Sequence, residues 1–304
     1  MIKSLDELLK VEGDKMKLAV VACQDEDVLE AVAESAQMGI SEPILIGNKE
    51  ETFRIADQFG IDLSGYEFIE SDDLTEAAEL GVKLVSSGKA DFIMKGLVDT
   101  AILLKAVLNK EWGLRTTSLL SHVMVYEVDT YKKLLYLTDG GMNLTPNVEE
   151  KAKIIDNAVH VAKAMGCEEV KVAALAAKEK VNPKMQATVD ADELQTMCKD
   201  GRFEEGVIVE GPLALDLALS KEAAETKKFG GKVAGDADVL LVPNIEMGNG
   251  IGKAITYLAK SKSAGIIMGA KAPVVLVSRA DDKESKLYSI ALGNMISKHF
   301  KEMA

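Results

Sequence analysis

The sequence predicts an α/β protein built from parallel βαβ units. Three observations predict it: short apolar runs alternate with segments of helical period, the apolar residues are mostly aliphatic, and no transmembrane-length run interrupts the pattern. Lys17–Cys23 (KLAVVAC) reads as a strand, and 27–38 follows with apolar spacing near 3.6 before Gly39 stops it. The alternation then repeats as strand 44–46, helix 50–59, strand 68–70, helix 74–86, strand 92–94 and helix 101–108. Between Ser118 and Thr138 two β-rich runs, SLLSHVMVYE and KLLYLTD, follow one another without a crossover helix, as in a hairpin. A domain boundary is expected just after them, near Asp139. A long helix over 148–165 opens the second half, where strands at 170–175, 205–210, 239–242, 265–268 and 274–277 again alternate with helices. A last helix is expected over 284–300.

Composition narrows the function classes. The 304 residues suffice for one large α/β domain or for two that share a cleft. Aliphatic residues dominate the 47% hydrophobic content, with aromatics at 5%, which suits a packed core rather than disorder. A formal net charge of −13 opposes wholesale binding to nucleic acid or anionic membrane, so an anionic ligand must be caught by a few placed cations and backbone amides. The three cysteines (Cys23, Cys167, Cys198) are widely spaced and form no CxxC pair, which suggests neither a disulfide framework nor zinc. Met1–Lys17 is charged and lacks the apolar core of a signal peptide, so a soluble, cytoplasmic protein is expected.

Four clusters carry candidate chemistry. VLLVPNIEMGNGIGKAI places Pro243, Glu246, Gly248, Asn249, Gly250, Gly252 and Lys253 between an apolar strand and a helix, where α/β proteins bind anions; a plain glycine-rich turn is the bland alternative. It matches neither a Walker A loop, since Met247 and Ala254 stand at required positions, nor GxGxxG. VSRADDKES puts Ser278 and Arg279 at the end of a strand, a hydroxyl and a forked permanent cation suited to an oxyanion and a phosphate. Its alternative is a solvated turn in which Ser278 or Asp282 caps the final helix. FIMKGLVDTAILLKAV has Lys95 and Gly96 at a strand end and Thr100 at a helix start, as anion ligand or as N-cap. GLRTTSLLSHV and LTDGGMNLTPN add Arg115, Thr116, Ser121, His122, Asp139 and Asn143; a lone histidine such as His122 is more often structural than catalytic. No HExxH, metal-ligand spacing or GxSxG elbow occurs, which disfavours metal hydrolysis and serine-hydrolase chemistry.

These pieces occur in one order as MKGLVDTAILLKAVLNKEWGLRT, SHVMVYE, LTDGGMNLTP, VNPKMQATVDA, EGPLALDLALS, VAGDADVLLVPNIEMGNGIGK and APVVLVSRADDKESKLYSIAL. So arranged, the chain resembles the phosphate acetyl/butyryltransferase family over nearly its whole length, and its butyryltransferase branch most closely. The resemblance implies two α/β domains with a cleft between them, isocitrate/isopropylmalate dehydrogenase-like, the second (139–289) inserted in the first (1–138 and 290–304). It implies reversible exchange of a short acyl group, butyryl above all, between coenzyme A and phosphate by direct transfer. Acyl-CoA, acyl phosphate and phosphate would be the small-molecule partners, with no metal or redox cofactor and a homo-oligomer of at least two chains.

Among site residues the resemblance assigns catalysis to Ser278 and Arg279. Ser285 occupies the position of an aspartate, seven residues beyond the matching serine, that acts as base in the acetyltransferase branch. Glu284, Asp281 and Asp282 are alternative bases, or positioning by Ser278 and Ser285 suffices. Substrate contacts are expected from Lys95, Gly96, Thr100, Arg115, Thr116, Ser121, His122, Asn143, Glu246, Gly248, Asn249 and Lys253. The competing readings are an NAD(P)-dependent hydroxy-acid dehydrogenase, opposed by the missing dinucleotide glycine pattern, and a non-enzymatic CoA or acyl-phosphate binder.

Overall fold

The structure is a computed structural model that describes residues 1–277 and 281–303. In chain order these form α1 (Leu5–Leu8), β1 (Met16–Val21), α2 (Glu26–Gln37), β2 (Ser41–Gly47), α3 (Lys49–Phe59), β3 (Glu67–Glu70), α4 (Leu74–Ser86), β4 (Phe92–Lys95) and α5 (Thr100–Val107). There follow β5 (Ser121–Glu127), β6 (Leu135–Thr138), α6 (Val148–Ala164), β7 (Val170–Leu175), α7 (Gln186–Lys199), β8 (Val207–Leu213), α8 (Leu215–Leu219) and α9 (Lys221–Thr226). The last elements are β9 (Val239–Leu241), α10 (Ile245–Leu258), β10 (Lys262–Met268), β11 (Val274–Val275) and α11 (Lys283–Met303).

The chain divides into two compact units, Leu5–Ser118 with Ala264–Ala304 and Met1–Ser4 with Leu119–Ser263. The changes of unit thus fall at 4/5, 118/119 and 263/264, whereas the sequence expectation put them at 138/139 and 289/290.

In the first unit the strands run in the order β3-β2-β1-β4-β11-β10. All neighbouring pairs are parallel except β10 with β11. Strands β1 and β4 are buried almost throughout, so they read as continuous apolar runs; edge strand β3 keeps Glu67 and Glu70 exposed, which discourages further pairing. Asp25, Asn48 and Asp73 cap α2, α3 and α4 by accepting amide hydrogens of the first turn. Helix α11 buries Leu287, Ile290, Ala291, Leu292 and Ile296 and packs against α2.

In the second unit the order is β5-β6-β9-β7-β8, with β5 and β6 antiparallel and the other pairs parallel. Its core joins Leu135, Leu137, Ala173, Leu213, Leu217 and Leu240. A capping box between Asn147 and Glu150 starts α6, satisfying two otherwise orphaned amides reciprocally. At the amino ends of the strands Asp238 pairs with Lys133 at 2.6 Å and Asp236 with Lys171 at 2.7 Å. Among the described residues no helix is long and apolar enough to cross a membrane, and no three His, Cys, Asp or Glu side chains group to hold a metal ion.

Candidate active site

The first unit contains a topological switch point. From β1 the chain steps to β2 and β3 on one side, then returns to place β4 on the other, so helices leave opposite faces beyond the carboxyl ends of β1 and β4. Lys95 closes β4 there, and Gly96 follows it. A β-carbon at Gly96 would lie 2.2 Å from the carbonyl oxygen of Ala22 and 2.7 Å from that of Val21, so only glycine lets the chain cross the end of β1 this closely. The amides of Gly96 and Leu97 donate to those two carbonyls, at 2.8 Å to Val21 and 2.7 Å to Ala22. Lys95 is 6% exposed, and its ammonium donates to the carbonyls of Gly96 and Val98 at 3.2 Å each.

Lys95, Gly96 and Leu97 line a small hollow with Asp25, Val28, Val277 and Lys286. The sequence reading passed over Lys286. Its signal was a lysine four residues before Ile290 on the apolar stripe of the last helix, a place where lysine is rarely found buried. Ser278 and Arg279 follow Val277 and lie outside the described residues.

Ser285 sits in the first turn of α11, where its amide donates to Asp282 Oδ1 at 2.8 Å and its carbonyl accepts from Ser289 Oγ at 2.7 Å. Asp282 therefore caps this helix. Glu284 accepts from Tyr288 Oη at 3.1 Å. Two of the carboxylates considered as bases thus hold helix α11 together.

Elsewhere in the unit, Asp99 rather than Thr100 occupies the cap position of α5, and Thr100 is the first helical residue. Arg115 and Thr116 are exposed; Thr116 Oγ1 donates to the Gly269 carbonyl at 2.5 Å and accepts from the Ser118 amide at 2.9 Å, tying the loop down. Cys23, just beyond β1, is buried with its thiol 3.5 Å from Thr52 Oγ1, and burial pushes it up to about 11. A thiol so protonated is a poor nucleophile, which argues against a covalent cysteine intermediate there.

The second unit gathers another set of candidates around the turn after β6. Asp139 is buried and accepts from the amides of Gly141 (2.8 Å), Met142 (3.0 Å) and Asn143 (3.2 Å), folding 139–143 over its own carboxylate. Asn143 Nδ2 donates to Asp139 Oδ2 at 2.6 Å and to the Leu120 carbonyl at 2.9 Å. His122 stands beside this turn, since a β-carbon on Gly141 would come within 2.9 Å of its Nδ1. Ser121 is wholly buried and accepts from Asn157 Nδ2 at 2.8 Å, which assigns its hydroxyl to the core.

The glycine-rich segment is not a turn. Asn244 caps α10 by accepting from the Met247 amide at 3.0 Å, and Glu246 through Lys253 lie within the helix. The glycines permit close packing: a β-carbon at Gly248 would meet Gly140 Cα at 2.7 Å and Asp139 O at 2.8 Å, and one at Gly252 would meet Tyr126 Oη at 2.9 Å. Glu246, Asn249 and Lys253 share the exposed face; Asn249 Nδ2 reaches the Gly140 carbonyl at 3.4 Å and the Lys253 ammonium lies 5.7 Å from the Tyr257 ring centre.

Residues 65–293 match the family described as Phosphate acetyl/butaryl transferase. The chain is 48% identical over 299 residues to the phosphate butyryltransferase of Clostridium acetobutylicum, covering 98% of this chain and 99% of that one. Among solved structures, a branched-chain phosphotransacylase from Enterococcus faecalis superposes with a TM-score of 0.82 at 32% identity, covering 93% of this chain and 99% of that one. A 4-hydroxythreonine-4-phosphate dehydrogenase from Burkholderia phymatum, at TM-score 0.55 and 15% identity over 93% of this chain and 99% of that one, shares the fold alone. By sequence over three-quarters of its length and by fold over nearly all of it, this chain belongs to the phosphate acetyl/butyryl transferase family and is an acyltransferase.

Proposed function

We propose that the protein catalyses butyryl-CoA + phosphate = butyryl phosphate + CoA, reversibly and by direct transfer. What carries the reading is the near-full-length likeness to a phosphate butyryltransferase; the buried lysine at the switch point supports it. A phosphate oxygen attacks the butyryl carbonyl carbon, the π electrons move onto the carbonyl oxygen, and collapse of that oxyanion expels the CoA thiolate. A thiol of pKa about 8.5 is a good leaving group, so stabilising the oxyanion and holding the phosphate matter more than a strong acid. Ser278 is the donor to the developing charge, Arg279 the forked cation for phosphate, and Ser285 supports Ser278. Lys95, Gly96, Thr100, Arg115, Thr116, His122, Asn143, Glu246, Gly248, Asn249 and Lys253 are the candidate residues for binding phosphate or CoA, and Lys95 lines the same hollow as Val277. In the reverse direction the CoA sulfur attacks the butyryl carbonyl, the C–O bond to phosphate breaks, and the thiol proton passes to the departing phosphate; positioning by Ser278 and Ser285 replaces the aspartate of the acetyltransferase branch. No metal or redox cofactor takes part, and the protein works as a cytoplasmic homo-oligomer of at least two chains, a mass that sedimentation would read directly.

The test follows CoA thiol release from butyryl-CoA on adding phosphate, with NAD(P) reduction recorded in parallel. Phosphate-dependent release is expected; NAD(P) reduction without it would favour the dehydrogenase, and silence in both the binder. Acetyl-, propionyl-, butyryl- and branched acyl-CoA at fixed phosphate then rank the substrates, each methylene being worth ~1–3 kcal/mol in a fitted pocket. Butyryl is expected to rank first, with acetyl and branched acyl groups as alternative substrates.

A further inference from the structure

Between β7 and α7 the second unit runs through a loop, 176–185, on which Lys178, Lys180 and Lys184 are all exposed. The loop is braced by its own sequence. Thr188, wholly buried, accepts from the Asn182 amide at 2.9 Å and donates to the Met185 carbonyl at 2.8 Å. Asn182 Oδ1 accepts from the Lys184 amide at 3.0 Å. Glu179, the only carboxylate in 176–185, pairs with Lys227 at 3.0 Å. In α7, which the loop enters, buried Asp190 accepts from the Lys151 ammonium and from Gln186 Nε2, fixing the helix from both sides.

A chain of net charge −13 has carboxylates in excess, and in this unit Lys133, Lys163, Lys171 and Lys227 all end on one. Lys178, Lys180 and Lys184 do not. Among the described residues their ammonium groups meet no carboxylate, carbonyl or ring. With Glu179 matched by Lys227, the loop presents a run of positive charge that the rest of the molecule leaves uncompensated, and mutual repulsion among these groups is relieved by an anion. Strands β6, β9 and β7 run parallel, so the loop leaves the same edge of the sheet as the 139–143 turn and the start of α10. That edge, the carboxyl ends of parallel strands, is where α/β sheets bind ligands.

The form of the loop selects the kind of anion. A single phosphate is best held by donors that converge in a closed pocket, whereas spaced ammonium point charges on flexible stems suit an extended ligand with several phosphates. The nucleotide end of CoA is such a ligand, with a 3′-phosphate on the ribose and a 5′-diphosphate, and it takes no part in bond making. We propose that Lys178, Lys180 and Lys184 bind the phosphates of the CoA nucleotide. The proposal deepens the acyl-transfer reading and rests on it.

The triple variant Lys178→Gln/Lys180→Gln/Lys184→Gln leaves the bracing residues in place. Its KM for butyryl-CoA should rise ~10-fold or more with kcat within about twofold, because the binding lost is the same in ground and transition states. KM for phosphate, and KM for S-butyryl-pantetheine, which lacks the nucleotide, should each stay within about twofold of wild type. CoA itself, titrated calorimetrically, should bind the variant ~10-fold or more weakly, and its affinity for wild type should fall more steeply with added salt than its affinity for the variant. Replacing Lys10, Lys49 and Lys89, exposed lysines of the first unit, by Gln changes the net charge equally and should leave all these values as in wild type. Unchanged KM for butyryl-CoA, an equal rise for S-butyryl-pantetheine, or equal weakening by the first-unit variant would each overturn the proposal. If the wild-type protein releases no CoA, the acyl-transfer reading fails, and CoA titration of wild type against the triple variant alone judges the loop; no binding, or equal binding to both, refutes it.

Discussion

Cys23 lies just beyond β1 with its thiol buried beside Thr52, and burial raises the thiol pKa from 9.0 to about 11. Below pH 9 the thiol is protonated folded or unfolded, and its contribution to stability is complete. Between pH 9 and about 11 the unfolded chain releases the proton while the folded chain keeps it, so stability falls as pH rises. Each pH unit in that window costs about 1.4 kcal/mol, and Cys23→Ala should lack this part of the slope in denaturant titrations. The mechanism makes its own residue-scale predictions. Arg279→Gln should lower kcat/KM more than removal of Lys95, Arg115, Asn249 or Lys253, by ~100-fold or more if it meets the phosphate in the transition state. Glu284→Gln should cost less than Ser278→Ala, because Glu284 is engaged by Tyr288; equal losses would make Glu284 the base. A serine-arginine pair at a strand end was legible because its chemistry lies in residue type. Lys286 was not, because a buried lysine is marked by what it pairs with, and its carboxylate partner Asp27 lies 259 residues away along the chain.

Helix α10 shows where local reading and tertiary contact diverge. Each glycine in a helix interior costs about 1 kcal/mol relative to alanine, so GNGIG favours a turn on propensity alone. The helix forms because Asn244 caps it, Met247, Ile251 and Ile255 pack on the core of the second unit, and two of the glycines admit backbone where a side chain cannot fit. The two kinds of glycine predict opposite signs. Gly250→Ala meets nothing within 4 Å and should raise stability by up to ~1 kcal/mol, whereas Gly248→Ala places its methyl against the backbone of Gly140 and Asp139 and should lower it by about 1–3 kcal/mol. Thermal melts of both variants decide it. The strands and the longer helices were legible because period and burial agree, as in α4, predicted over 74–86 and found as Leu74–Ser86. The short α1, α8 and α9 span four to six residues, too few to establish a period.

At the scale of the whole molecule, a chain of net charge −13 that handles anionic substrates must confine its positive charge to particular places. Lys95 and Lys286 in one hollow of the first unit are one such place. If transfer proceeds without a metal, dialysis against a chelator should leave the phosphate-dependent release of CoA unchanged; loss restored by a divalent cation would refute that part of the reading. The order of residues by itself determined the α/β class, the run of elements and the family, because apolar period, turn residues and collinear motifs are properties of neighbours in the chain. Tertiary structure alone decided that β4 lies beside β1, that the glycine-rich segment is helical, that Ser121 is buried and that Lys286 reaches α2. Each of these is set by contacts between residues far apart in sequence, whose free energy outweighs the local preference of the segments that make them.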